Sequence, residues 1–135
     1  MKQTLLLIML LALGLPAYAQ STDGTTSKDP DAIFVVVEKN PEYPGGTEAM
    51  YQFLAANIQY PKDAKAEKKE GRVLLTFVVE ADGRITDIKA LHSPHPSLSE
   101  EAIRVVRLMP KWKPGKQRGK KVRVQYNLPI NFQLQ

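Results

Sequence analysis

The chain has no cysteine among its 135 residues. Disulfides, thiolate metal ligands and lipid attachment through an N-terminal cysteine are therefore excluded. Histidine is nearly as scarce: His92 and His95 flank Ser93-Pro94, which places them in a loop rather than on one helix face. A metal site would need further ligands that this neighbourhood does not supply. No serine stands in a nucleophile elbow, and the adjacent Glu100 and Glu101 point apart on a helix, which is wrong for a catalytic carboxylate pair. Gly45-Gly46 reads as a turn rather than a phosphate cradle. These gaps argue against an enzyme, and no cofactor is expected.

Acidic residues are missing from the C-terminal quarter of the chain. Residues 102–135 hold nine basic side chains and no acidic one, whereas residues 20–101 hold nine basic and fourteen acidic, so the two stretches carry +9 and −5. A dipolar chain of this kind favours acidic partners near its C-terminal third. Nucleic acid is not expected, because the basic run lacks the interleaved aromatics of a stacking platform. A solvated basic hairpin is the competing account.

Also absent is an apolar run long enough to span a bilayer, which takes roughly 20 residues. The run at residues 5–13 follows Lys2 and is broken by Gly14 and Pro16, and Ala17-Tyr18-Ala19 then presents small residues where a signal peptidase reads. A cleavable signal over residues 1–19 is expected, with export to the periplasm and no stable membrane anchor. An uncleaved inner-membrane anchor is the alternative. Residues 20–31 are mostly polar and read as a flexible tail. Residues 32–135 form the expected domain, with its core at 40–134.

What is present begins at the C-terminus. Val122, Val124, Tyr126, Leu128, Ile130, Phe132 and Leu134 share one phase, and Arg123, Gln125, Asn127, Pro129, Asn131 and Gln133 the other. This is a long strand with one buried face. Pro129 has no N–H for a ladder, so the strand is expected at a sheet edge. Upstream, Val73, Leu75, Phe77 and Val79 alternate, Ala81-Asp82-Gly83 turns, and residues 85–91 return as a hairpin, the Asp-Gly pair supplying positive φ. Ser97 and Glu100 form a capping-box pattern ahead of a helix whose stripe is Leu98, Ala102, Val105, Val106 and Met109. Thr47 is expected to cap a helix carrying Met50, Phe53, Leu54 and Ile58, and Pro61 to open a short helix through Lys69 with Ala64 buried.

The order β-β-α-β after two helices predicts an α+β fold. Its sheet is three-stranded, in the order second, first, third, with helices on one face. Residues 33–37 are a β-type apolar run that adds a strand or packs as an arm. Trp112 is read as core, with a partner-surface anchor as the alternative, and residues 111–121 as a basic loop.

Taken together, Tyr60-Pro61, Gly71, Val73-x-x-x-Phe77-x-Val79, Asp82-Gly83-x-Ile85, Ala102-Ile103, Pro110-x-Trp112-x-Pro114-Gly115, Gly119 and Tyr126-x-x-Pro129-Ile130-x-Phe132 resemble the C-terminal domain of TonB. The resemblance covers roughly residues 40–134. It implies a periplasmic interaction domain whose last strand receives the TonB box of an outer-membrane transporter as an added strand. The partner-binding residues it points to are Val122, Arg123, Val124, Gln125, Tyr126, Asn127 and Leu128, with Gln59 and Tyr60 from the region before the tyrosine-proline pair. Full-length TonB resembles a tethered rod that couples to an ion-driven motor. A chain with a cleaved signal keeps the recognition half of that function, whereas an uncleaved anchor would restore energy transduction. A third reading has the edge strand pair with its own copy, giving a homodimeric envelope module.

Overall fold

Alternation in residues 71–79 sets the centre of the structure. β2 (Gly71–Val79) buries Val73, Leu75, Phe77 and Val79 on one face, and Thr76 and Val78 on the other are buried as well. A strand buried on both faces is an interior strand. It pairs antiparallel with β3 (Ile85–His92) on one side and with β5 (Lys120–Phe132) on the other. In the computed structural model the described residues are Asp29 and residues 31–134, the latter within the unit Asp31–Gln135. The expected signal at 1–19 and most of the tail at 20–31 lie outside the described residues.

The expected order of second, first, third strand is present as β3-β2-β5, but the sheet is larger than three strands. β1 (Ile33–Phe34) lies parallel to β5 on its other side, and β4 (Gly115–Gln117) pairs antiparallel with the start of β5. The expected basic loop is thus a hairpin. Its two-residue turn, Arg118-Gly119, has φ of 54° and 77°, the twist that suits a tight connection between antiparallel strands.

Three helices complete the fold: α1 (Gly46–Asn57), α2 (Lys62–Ala66) and α3 (Pro96–Arg107). The α3 stripe buries Leu98, Ala102, Val105 and Val106, as its spacing requires. Burial of Leu98, Val105 and Val106 contributes roughly 1.5–3 kcal/mol each. Two expected caps are displaced. The His95 ring, not Ser97, caps α3, because its Nδ1 accepts from the Ser97 N–H at 3.1 Å. Gly45 precedes α1 at φ 90° with no side-chain cap, which puts Thr47 inside the first turn; a Cβ on Gly45 would stand 2.9 Å from that of Ala49. Pro61 likewise stands just before α2, which stops at Ala66 rather than reaching Lys69, and Ala64 is fully buried as expected.

At the β2–β3 turn only Gly83 takes a positive φ, 92°, not the Asp-Gly pair. A Cβ there would fall 2.2 Å from the Trp112 carbonyl oxygen, and the Trp112 N–H donates to the Gly83 carbonyl at 2.9 Å. This clamp seats Trp112 in the core at 3% exposure, its ring edge-on to Tyr43, Phe77 and Tyr126. The core reading of Trp112 holds.

Candidate functional site: the outer edge of the last strand

The β2–β5 register runs unbroken from Gly71↔Phe132 to Val79↔Val124. Backbone groups of successive residues in a strand point to opposite sides. Pro129 stands opposite Leu74 in that register and has no N–H to give. The backbone groups of its phase, Gln125, Asn127 and Asn131, therefore point away from β2. From Gln125 onward no further strand covers this side among the described residues, since β1 reaches only Arg123 and Val124 and β4 only residues 120–122.

α1 lies alongside this edge. A groove of about 920 Å³ is lined by Gln125, Tyr126 and Asn127 from β5, by Thr47 and Met50 from α1, and by residues 39–43. A second depression, of about 330 Å³, continues it past Pro129, Ile130 and Asn131 against Tyr51, Leu54, Ala55 and Ile58. Lys39, Lys113, Lys116 and Lys121 line the first groove, with Glu42 the only acid. The Glu42 carboxylate lies 3.9 Å from the Lys113 ammonium. The groove's wall is itself paired backbone: Lys39 and Lys116 exchange both hydrogen bonds, at 3.1 and 2.9 Å, as do Glu42 and Lys113, at 2.9 and 2.8 Å.

The expected site residues divide into three groups. Val122, Arg123 and Val124 already have neighbours on β4 or β1, while Gln125, Tyr126, Asn127 and Leu128 follow along the open stretch. Val124 and Leu128 are buried, so they offer backbone and not side chain to a visitor. Gln59 and Tyr60 are elsewhere: the Gln59 N–H donates to Glu101 at 2.7 Å, and the Tyr60 ring meets Phe132 edge-on at 5.8 Å. Phe132 is eight residues beyond Val124, roughly 26 Å along an extended strand. The structure therefore does not bring Gln59 and Tyr60 together with residues 122–127.

Sequence reasoning missed the α1 wall. Its signal was Tyr51, an aromatic outside the apolar stripe of α1 that stays 43% exposed beside Pro129 and Ile130. Missed too was the role of Glu101, which accepts from the Arg104 guanidinium at 2.7 Å as well as from Gln59. The Arg104 contact holds its carboxyl below the usual range against the opposing effect of burial. Arg123 anchors the start of the edge by donating to Glu80 at 2.8 Å and to the Asp31 carbonyl at 2.7 Å. Its hydrogen bond outweighs burial and lowers the Glu80 pKa. Burial raises the Tyr126 hydroxyl pKa.

A row of outward amides and carbonyls, walled by a helix and rimmed by lysines, defines a protein-recognition domain. Among the described residues no cluster of His, Asp and Glu is able to hold a metal ion, and no helix is long and apolar enough to cross a membrane. The chain belongs to the TonB C-terminal family: the model of the Gram-negative bacterial TonB protein C-terminal matches residues 56–134, more than half of it. A solution structure of the Helicobacter pylori TonB C-terminal domain is similar at 27% identity, with a TM-score of 0.50 over 64% of this chain and 78% of that one. The Pseudomonas aeruginosa TonB C-terminal domain is 32% identical, with a TM-score of 0.47 over 58% and 79%. None of the curated proteins matches. The family comprises non-enzymatic periplasmic domains that serve transport across the bacterial envelope and interact with outer-membrane transporters.

Proposed function

We infer that this domain captures the TonB box of an outer-membrane transporter as an added strand along residues 125–131 of β5. One observation supports the reading: the outward backbone of Gln125 and Asn127 borders a groove of about 920 Å³ rimmed by Lys39, Lys113, Lys116 and Lys121, and Asn131 borders a second depression of about 330 Å³. Backbone hydrogen bonds supply affinity in such a complex, and side-chain pockets and charge supply selection. The occupant is thus an extended segment with acidic residues, and the protein works as an exported periplasmic adaptor whose mature chain begins at Gln20.

The test is capture of transporters from detergent-solubilised outer membranes by the purified domain, followed by affinity measurement with the box peptide of whichever transporter is retained. Capture that is lost in Asn127→Pro and kept in Asn127→Ala supports strand addition. Capture unaffected by proline in a folded protein overturns it. N-terminal sequencing of the exported protein settles the processing: retention of Met1 in the inner membrane restores the anchored transducer.

A further inference from the structure

β1 uses only part of the apolar run it belongs to. Only Ile33 and Phe34 pair with β5, opposite Arg123 and Val124, yet they belong to a run of five apolar strand-formers, Ile33-Phe34-Val35-Val36-Val37. The chain leaves the edge after Phe34. Val35 is then 69% and Val36 84% exposed, and Lys39 turns back to pair with Lys116. Large apolar residues left this exposed beside an open strand edge are unused pairing capacity. Continued in the same parallel register, the run would set Val35 opposite Gln125, Val36 opposite Tyr126 and Val37 opposite Asn127. That is the stretch where the groove lies, and Val35 already lines it.

The pairing itself is short: Ile33 is 44% exposed, the Arg123 guanidinium donates to the Asp31 carbonyl before it, and after it the Glu38 N–H donates to Gln117 while the Glu38 carboxylate accepts from the Arg118 N–H. Short, solvent-facing pairings open at small free-energy cost compared with a nine-pair interior ladder such as β2–β5. An external strand that uses the edge from Arg123 onward must meet β1 first.

We propose that β1 is a resident occupant of the start of the partner edge, an internal stand-in that an incoming acidic peptide of apolar strand-formers displaces, in the same parallel direction, where that peptide extends past Gln125 to Val124 and Arg123. This rests on the strand-addition reading and adds its regulation. Displacement of a tethered competitor lowers the apparent affinity by the fraction of time the edge is free. Release of β1 therefore strengthens capture with no new contact. It also names the partner's chemistry: a carboxylate followed by apolar residues that favour strands, as in Asp31-Ala32-Ile33-Phe34-Val35.

The probe is a synthetic peptide of residues 29–39, titrated against the whole exported chain and against its Ile33→Pro/Phe34→Pro variant. The variant should bind it at least about ten-fold more tightly, because it lacks a tethered competitor whose effective concentration is on the order of millimolar. The bound peptide should perturb the amides of residues 123–127. Equal affinity for both chains, or perturbation at residues 85–92 instead, overturns the proposal. Hydrogen exchange on the unaltered chain needs no variant: the Phe34 amide should exchange far faster than that of Leu75, and equal protection overturns the proposal. Transporter capture is scored separately. If the peptide effect appears and neither chain retains a transporter, resident occupancy stands and the function reading falls. If both chains retain transporters equally and the peptide does not discriminate, the function stands and the occupancy falls.

Discussion

The sheet has two edges, and they are built in opposite ways. β3 is irregular: its register with β2 shifts between Leu74 and Leu75 and again between Thr76 and Val78, and Asp87 takes a φ of 53°. Bulges and exposed charge, here Asp87 with Lys89 at 3.7 Å, twist an edge away from visitors and make pairing unfavourable. β5 holds nine consecutive pairs with β2 and no shift, and its outer side is overlaid only at its beginning. One edge is defended and the other is kept in register. A sheet with two open edges would be prone to edge-to-edge association, and here only one is left open.

The largest effect comes from removing what both edges share. Phe77 is 1% exposed in the central strand and packs 5.5 Å from both Trp112 and Tyr126. Phe77→Ala should cost about 3–5 kcal/mol, read by denaturant unfolding, and destroy both edges together.

The next effect separates the edges. Gln125→Pro or Asn127→Pro should lower affinity for a captured box peptide by more than about 100-fold with the circular dichroism spectrum kept, since each removes an outward N–H and leaves the β2 ladder intact. Alanine at either site should be mild. Leu91→Asp on the β3 edge should leave binding unchanged, and an equal loss there would erase the distinction between the edges.

A smaller effect tests the charge around the open edge. Lys116→Glu with Arg118→Glu and Lys120→Glu should slow association with an acidic peptide by about ten-fold at low salt. Raising the salt should produce the same slowing in the unaltered chain, with dissociation little changed. These side chains are on the β4–β5 hairpin, away from the core cluster, so unfolding midpoints should shift little. A salt-independent association rate would reduce the lysine rim to a solvated surface.

The smallest effect concerns the Glu80–Arg123 pair, which joins the end of β2 to the start of β5. The Glu80 pKa is lowered in the fold, first by the Arg123 hydrogen bond. A depressed carboxylate adds stability that is fully present above its unfolded pKa and fades as pH falls through the folded one. Thermal midpoints should therefore drop below about pH 4.3, the ordinary Glu value, and Glu80→Gln should flatten part of that decline. An unchanged acid profile in Glu80→Gln would show that the pair adds no stability between the end of β2 and the start of β5.

Local patterns made most of the ladder legible. Period-two alternation placed β2 and β5, the turn at Ala81-Asp82-Gly83 placed β3, helical spacing placed the buried stripe of α3, and the missing N–H of Pro129 marked β5 as a strand with a free side. Half the site could be read this way, because an edge is a property of one strand and its neighbour. The α1 wall, the lysine rim from Lys39 and Lys113, and the cap donated by His95 were not legible. Each joins residues distant in the chain or substitutes one capping group for a commoner one.

By itself the sequence determined most of the strands and helices, which face of each is apolar, where the positive charge accumulates, and which strand is unsuited to pairing on both sides along its whole length. These follow from side-chain spacing and backbone donors, which act over a few residues. Only the tertiary structure decided that α1 lies along the edge of β5, that residues 111–121 fold into a hairpin, that Gln59 and Tyr60 stand at the far end of the strand, and that β1 occupies its beginning. The physical reason is that long-range placement is set by which apolar faces find each other, and a pattern repeated along one segment does not name the surface that will cover it.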